Sequence, residues 1–259
     1  MNILKVVGYD VRDFFSSWLT YLFLFFSVAP AIGMIVSAQL IDDLSINGYF
    51  LAYAFGSFAI IFVIVSAVRV FTKDITENTN MLFMNSKSNR TIYAIGKIIS
   101  MGFVGFIYGA ILVIVLLIGK ALGMDLLEPA PFISPAAHES LGHLLSEALL
   151  GYVVVALVFG TIYLFLSLFI RKSVFVFVIA VIVTLFYPII ESLGSLAFSA
   201  LFDKDANIFI DFLQKYFPFS AATSGVSEIS ITNQQFLMMG IYFVVFFVLT
   251  IIKIRKTDY

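Results

Sequence analysis

Residues 98–119 read IISMGFVGFIYGAILVIVLLIG, with no charged side chain among them. At 1.5 Å per residue such a helix rises about 33 Å, enough to cross the hydrocarbon core of a bilayer. Five further apolar stretches, at 18–38, 50–70, 147–170, 173–190 and 236–252, are of similar length and carry no charge in their centres. Helices of this kind satisfy their own backbone in lipid, which few other structures can do. The chain is therefore expected to be an all-α bundle of six transmembrane helices. A composition that is 61% hydrophobic and only 12% charged excludes an ordinary soluble domain. Six spans leave little of the chain for a second globular unit, so residues 1–259 are read as a single transmembrane domain.

The uncharged centres bear on energetics. Proton- and ion-driven carriers usually keep an ionisable group inside the membrane despite its cost. Here Arg69, Lys97, Lys120, Glu147, Arg171 and Glu191 stand at span ends, where long side chains can snorkel to the interface. If the chain moves a substrate uphill, the energy is expected to come from a partner.

Lysine and arginine give the orientation. With the N-terminus inside, twelve of them fall on the cytoplasmic side, from Lys5 and Arg12 to Lys253, Arg255 and Lys256. Lys120, Lys204 and Lys215 fall outside, which accounts for all fifteen. Both termini are expected in the cytoplasm of a cell whose plasma membrane the chain spans six times. Val36-Ser37-Ala38 has the look of a cleavage site, but the apolar run before it is too long for a signal peptide.

Residues 1–16 have a different pattern. Ile3, Leu4, Val7, Val11, Phe14 and Phe15 share one helical face, and Asn2, Lys5, Tyr9, Arg12, Asp13 and Ser16 the other. Asp10 is the exception. The segment reads as an interfacial amphipathic helix on the inner leaflet. The second span places Gly48, Ala52 and Gly56 on one face, and the third places Gly105 and Gly109 likewise. Small residues at this spacing let helices approach closely.

The loop 72–91 is the main cytoplasmic feature. A helix over 74–84 puts Ile75, Thr79, Leu82 and Phe83 on one face and Glu77, Asn80 and Met84 opposite, with Met81 beside them. Met is an adaptable filler of protein grooves. On the outer side, 191–235 carries an aromatic stretch from Ile208 to Phe219, broken at Pro218. It is expected to form short helices that dip into the membrane or cap the bundle.

Several chemistries are not indicated. No GxxxxGK[ST] is present, and no GxSxG. The chain contains no cysteine, which removes thiolate ligands and disulfides. His138-Glu139 invites comparison with HExxH, but His143 lies five residues on, about 140° away on a helix. A loose metal site from His138, Glu139 and His143 is the weaker reading, and solvated loop histidines the stronger. No catalytic residue and no metal ligand is assigned. The basic residues follow topology and anionic lipid, so nucleic acid is not an expected partner.

In outline the chain resembles the membrane subunits of type-2 ATP-binding-cassette exporters. The likeness rests on the N-terminal helix ending near Phe14-Phe15-Ser16-Ser17, the six spans, and the loop order Glu77, Met81-Leu82-Phe83-Met84, then a basic cluster with Lys87 and Arg90, then Lys97. Tyr216-Phe217-Pro218 before the last span also fits. Asn78 and Asn85 stand where that family often has Gly and Pro. The resemblance implies a coupling helix formed by Glu77, Met81, Leu82, Phe83, Met84, Lys87 and Arg90, seated on a separate ATP-binding subunit. ATP and Mg would bind there and not on this chain. It also implies a second membrane subunit, identical or not, and a pathway for an amphipathic or hydrophobic substrate. The short form without an outer domain is most similar to bacterial peptide exporters, including bacteriocin-immunity permeases and exporters of phenol-soluble modulins. The alternative is a stand-alone secondary carrier or membrane assembly factor. In either case, single cysteines added to this cysteine-free chain should label from outside at Ser134 and Asn207, and from inside at Ser86. Outside labelling at Ser86 would overturn the topology.

Overall fold

The computed structural model describes residues 2–41, 46–76, 87–128, 138–170, 173–202 and 206–256. Glu77, Met81, Leu82, Phe83 and Met84, and the labelling positions Ser86 and Ser134, lie outside them. The described residues form nine helices and no strand: α1 (Ile3–Ser16), α2 (Trp18–Leu40), α3 (Gly48–Thr76), α4 (Lys87–Ala121), α5 (Leu141–Ser167), α6 (Ser173–Phe202), α7 (Ala206–Tyr216), α8 (Pro218–Ser227) and α9 (Asn233–Lys256). The chain is a multi-pass helical membrane protein. Helices α2, α3, α4, α5 and α9 are each long and apolar enough to span. Helix α6 makes a sixth span if its halves are joined across a 54° bend between Tyr187 and Ile189. Pro188 stands at that bend, where the missing N–H breaks the hydrogen-bond ladder.

Burial ranks the helices. In α3, 67% of the apolar window is buried, against 17% in α9 and 22% in α2. Helix α3 is thus the central post, touching α2, α4, α5, α6 and α8. The outward faces of α2, α6 and α9 expose Phe25, Ile32, Phe175, Ile182, Leu237, Val244 and similar side chains. Such faces are stable only against lipid or another apolar surface.

Small residues set the tightest approaches. A Cβ at Gly109 would lie 2.8 Å from the Leu149 carbonyl oxygen, and one at Gly105 would meet the Tyr152 carbonyl and, at 2.8 Å, Val153 Cα. Helices α4 and α5 therefore meet backbone to backbone, as the Gly105/Gly109 spacing predicts. Helix α8 is held in the same way. A Cβ at Gly56 would lie 2.7 Å from Ser227 Cα, and one at Gly151 would strike the Gly225 carbonyl. Eight of its ten residues are buried, from Pro218 and Phe219 to Val226 and Ser227. Pro218 opens the helix at the position where its lack of an N–H costs nothing. Phe219 packs at 4.4 Å on Phe159 and stacks at 5.2 Å on Tyr187. Phe219, at the end of the aromatic stretch, is thus packed into the bundle, whereas Ile208, Phe212, Tyr216 and Phe217 before it remain exposed. Past its bend, α6 continues as a helix to Phe202.

At the end opposite the termini, Asn47 caps α3. Its Oδ1 accepts from Phe50 N at 3.1 Å, and its Nδ2 donates to Glu128 O at 3.0 Å. This ties the chain after α4 back onto the start of α3.

Candidate functional site

The N-terminal helix carries the first clue. Its buried residues are Val6, Asp10 and Phe14, one per turn. Leu4 and Phe15, on the apolar face, remain exposed. The helix therefore leaves one apolar strip uncovered and packs another on α4. Val6 fills the space over Gly96, where a Cβ would lie 2.8 Å from its side chain. Phe15 meets Phe103 edge-on at 6.2 Å. Asp10, the odd residue in the helical pattern, points inward with them.

Its partner is Lys97, nearly three turns into α4 and 1% exposed. The ammonium donates to Asp10 Oδ1 at 2.6 Å and to the Val70 carbonyl at 2.9 Å, and it lies 2.7 Å from Asp74 Oδ2. These three partners match the three hydrogens of the ammonium group. Tyr93, one turn before Lys97, donates its hydroxyl to the same Asp74 oxygen at 2.8 Å. Lys97 thus does not snorkel, contrary to the expectation from its place at a span end. A long aliphatic stem can bury its charged head when the fold supplies counter-charges.

Two carboxylates share one ammonium, and they are not equivalent. Asp74 has both Lys97 and Tyr93 on one oxygen. Asp10 Oδ2 has no hydrogen-bond partner. Burial pushes the Asp10 carboxyl above its ordinary value, outweighing the pull of Lys97, and the charge of Asp74 adds to the rise. A second pair, Lys73 with Asp13, lies beside the first and is about a quarter exposed, at 28% and 23% of the two side chains. A small cavity of about 20 Å³, with room for one water, is lined by Asp10, Asp13, Arg69, Lys73 and Asp74.

The arrangement brings three elements to one point. Helix α1 supplies Asp10 and Asp13, the last turns of α3 supply Val70, Lys73 and Asp74, and α4 supplies Tyr93 and Lys97. Residues 77–86, between α3 and α4, are therefore flanked on both sides by helices fastened to α1. The C-terminal helix joins the same end, where Arg255 Nε donates to Thr91 Oγ1 at 3.2 Å. Of the residues expected in the coupling loop, Arg90 is described and is buried at the start of α4. Lys87 opens α4. Among the described residues the bundle centre carries hydroxyls in place of charge. Ser66 and Tyr108 pair at 3.3 Å, and Tyr108 stacks on Tyr152.

The histidines depart from expectation. His138 is buried, not solvated, and it lies before α5, so the helical angle to His143 does not apply. Its carboxylate partner is Glu147, while Glu139 is exposed. Sequence spacing missed this because the acid lies two turns into the following helix. The chain matches no protein-family model and no curated protein.

Proposed function

We propose that this chain is the membrane subunit of an ATP-driven exporter of the bacterial plasma membrane, with both termini cytoplasmic. It would form, with a second membrane subunit, the pathway for an amphipathic or hydrophobic peptide. ATP would be hydrolysed on a separate ATP-binding subunit docked at the loop containing Glu77 and Met81–Met84. The observation that carries this reading is the Asp10–Lys97–Asp74 cluster. A push on residues 77–86 reaches α3 and α4 directly, and through the cluster it reaches α1. A partner that biases two packings of these helices can open and close a pathway.

One observation favours the stand-alone carrier instead: a buried carboxyl with a raised pKa is the kind of group that carries protons. Asp10, however, sits at the end of the bundle near the termini, and the polar groups at the centre, Ser66 and Tyr108, are hydroxyls and not carboxyls or imidazoles. Transport in sealed vesicles should therefore require ATP and the ATP-binding subunit, and should continue when a protonophore collapses the proton gradient. Transport without any ATPase, or its loss on adding protonophore with ATP maintained, would favour the carrier.

A further inference from the structure

The end of the bundle opposite the termini holds a second polar cluster. The chain has only two histidines, and both direct Nε2 at one carboxylate. His138 Nε2 lies 2.9 Å from Glu147 Oε2, and His143 Nε2 lies 3.2 Å from Glu147 Oε1. One ligand-capable atom from each of the three residues falls within 4.8 Å of the others. His143 and Glu147 stand one turn apart on α5 and so share a face. Ser140 caps this helix by accepting from His143 N at 3.3 Å, which fixes where the first turn begins. His138 comes from the chain just before the cap and folds back, bringing the two rings to 5.2 Å.

The buried histidine is held from behind. Tyr49 Oη lies 2.8 Å from His138 Nδ1 and accepts from His138 N at 3.1 Å. Tyr49 is fully buried at the start of α3. This is the support that a metal-bound imidazole usually has: Nδ1 engaged by an oxygen, with Nε2 left facing the ion. In such a state Nδ1–H donates to the Tyr49 oxygen.

We infer that His138, His143 and Glu147 form a binding site for a divalent cation of the Zn²⁺ class. Two imidazoles and one carboxylate suit Zn²⁺ and not Mg²⁺ or Ca²⁺, which prefer all-oxygen shells. Zn–N and Zn–O distances of about 2.0–2.2 Å put tetrahedral ligand atoms roughly 3.3–3.5 Å apart. The two imidazole–carboxylate separations, which use different oxygens of Glu147, need to widen by only a few tenths of an ångström, and the ligand atoms of the two histidines already lie within 4.8 Å of each other. Three protein ligands leave a fourth position for water. The ion would fasten the chain just before α5 to that helix and, through Tyr49, to α3. The inference does not depend on whether the chain is an exporter.

The test uses the full chain without a histidine tag, purified in detergent, and Zn²⁺ alone as the probe. Competition against a chromophoric chelator should give one Zn²⁺ per chain, and Mg²⁺ or Ca²⁺ should not displace it. Co²⁺ in its place should show the visible absorption of a tetrahedral site. His143 is 58% exposed and Glu147 31% exposed at their side chains, so His143→Ala and Glu147→Ala should leave the fold intact. Each should weaken Zn²⁺ at least tenfold, Tyr49→Phe should weaken it about tenfold through the supporting bond, and Glu139→Gln should not change it. Absence of Zn²⁺ binding, or binding that falls less than tenfold in either alanine variant, would mean that the three residues form only a hydrogen-bonded cluster.

Discussion

Replacing Lys97 with Met should lower the stability of the folded chain by about 3–5 kcal/mol, the usual cost of breaking a buried ion pair from one side. Met keeps the length and the apolar stem but removes the charge. Asp10 and Asp74 would then lose their shared cation in a buried site, and the Val70 carbonyl would lose its donor. The expected readout is a large fall in thermal midpoint for the detergent-purified protein and release of α1, seen as new protease sensitivity near residues 3–16. The triple change Lys97→Met, Asp10→Asn, Asp74→Asn should recover most of the loss, because neutral groups leave no orphaned charge. If Lys97→Met melts with the parent, the cluster is not what holds α1. Asp10→Asn alone should be mild. The folded-state pKa of Asp10 lies above its ordinary value, so the folded chain binds more protons there than the unfolded chain. Its contribution therefore falls as pH rises through that window, and the amide removes this pH dependence.

Adding one methyl at Gly105 should cost about 1–3 kcal/mol, and Gly105→Leu more. The new Cβ meets backbone, the Tyr152 carbonyl and Val153 Cα, as well as the Ala156 Cβ. None of these is the end of a flexible side chain, so α4 and α5 must separate along their length. Gly33 and Gly240 provide the control, since nothing lies within 4 Å of a Cβ at either. There alanine should be neutral or stabilising by up to about 1 kcal/mol, from helix propensity. Thermal melting of the three alanine variants decides the matter. Equal midpoints would show that the close contact is not under compression.

What could be read from sequence follows a physical division. The spans were legible because lipid demands long uncharged helices, and α2, α3, α4, α5 and α9 answer that demand. Gly105 and Gly109 were legible because one helix brings its own residues to one face. Asp10 announced itself as the flaw in an otherwise regular pattern. Its partner did not, because Lys97 is 87 residues away and looks like any basic residue at a span end. The His138–Glu147 contact was hidden because a turn before α5, invisible to helical periodicity, folds His138 back. The continuation of α6 past Pro188 was hidden by the proline itself.

The cluster near the termini also fixes an order of events during synthesis. The chain emerges from its N-terminus, so Asp10 and Asp74 both exist before Lys97 is made. A nascent chain that ends before residue 97 holds two carboxylates whose buried cation has yet to arrive. Lys73 and Asp13 are already available to each other at that stage, so α1 can be tethered loosely first. It can be sealed only when the first turns of α4 have been translated, so the earliest helix of the chain waits for the fourth before it reaches its final place.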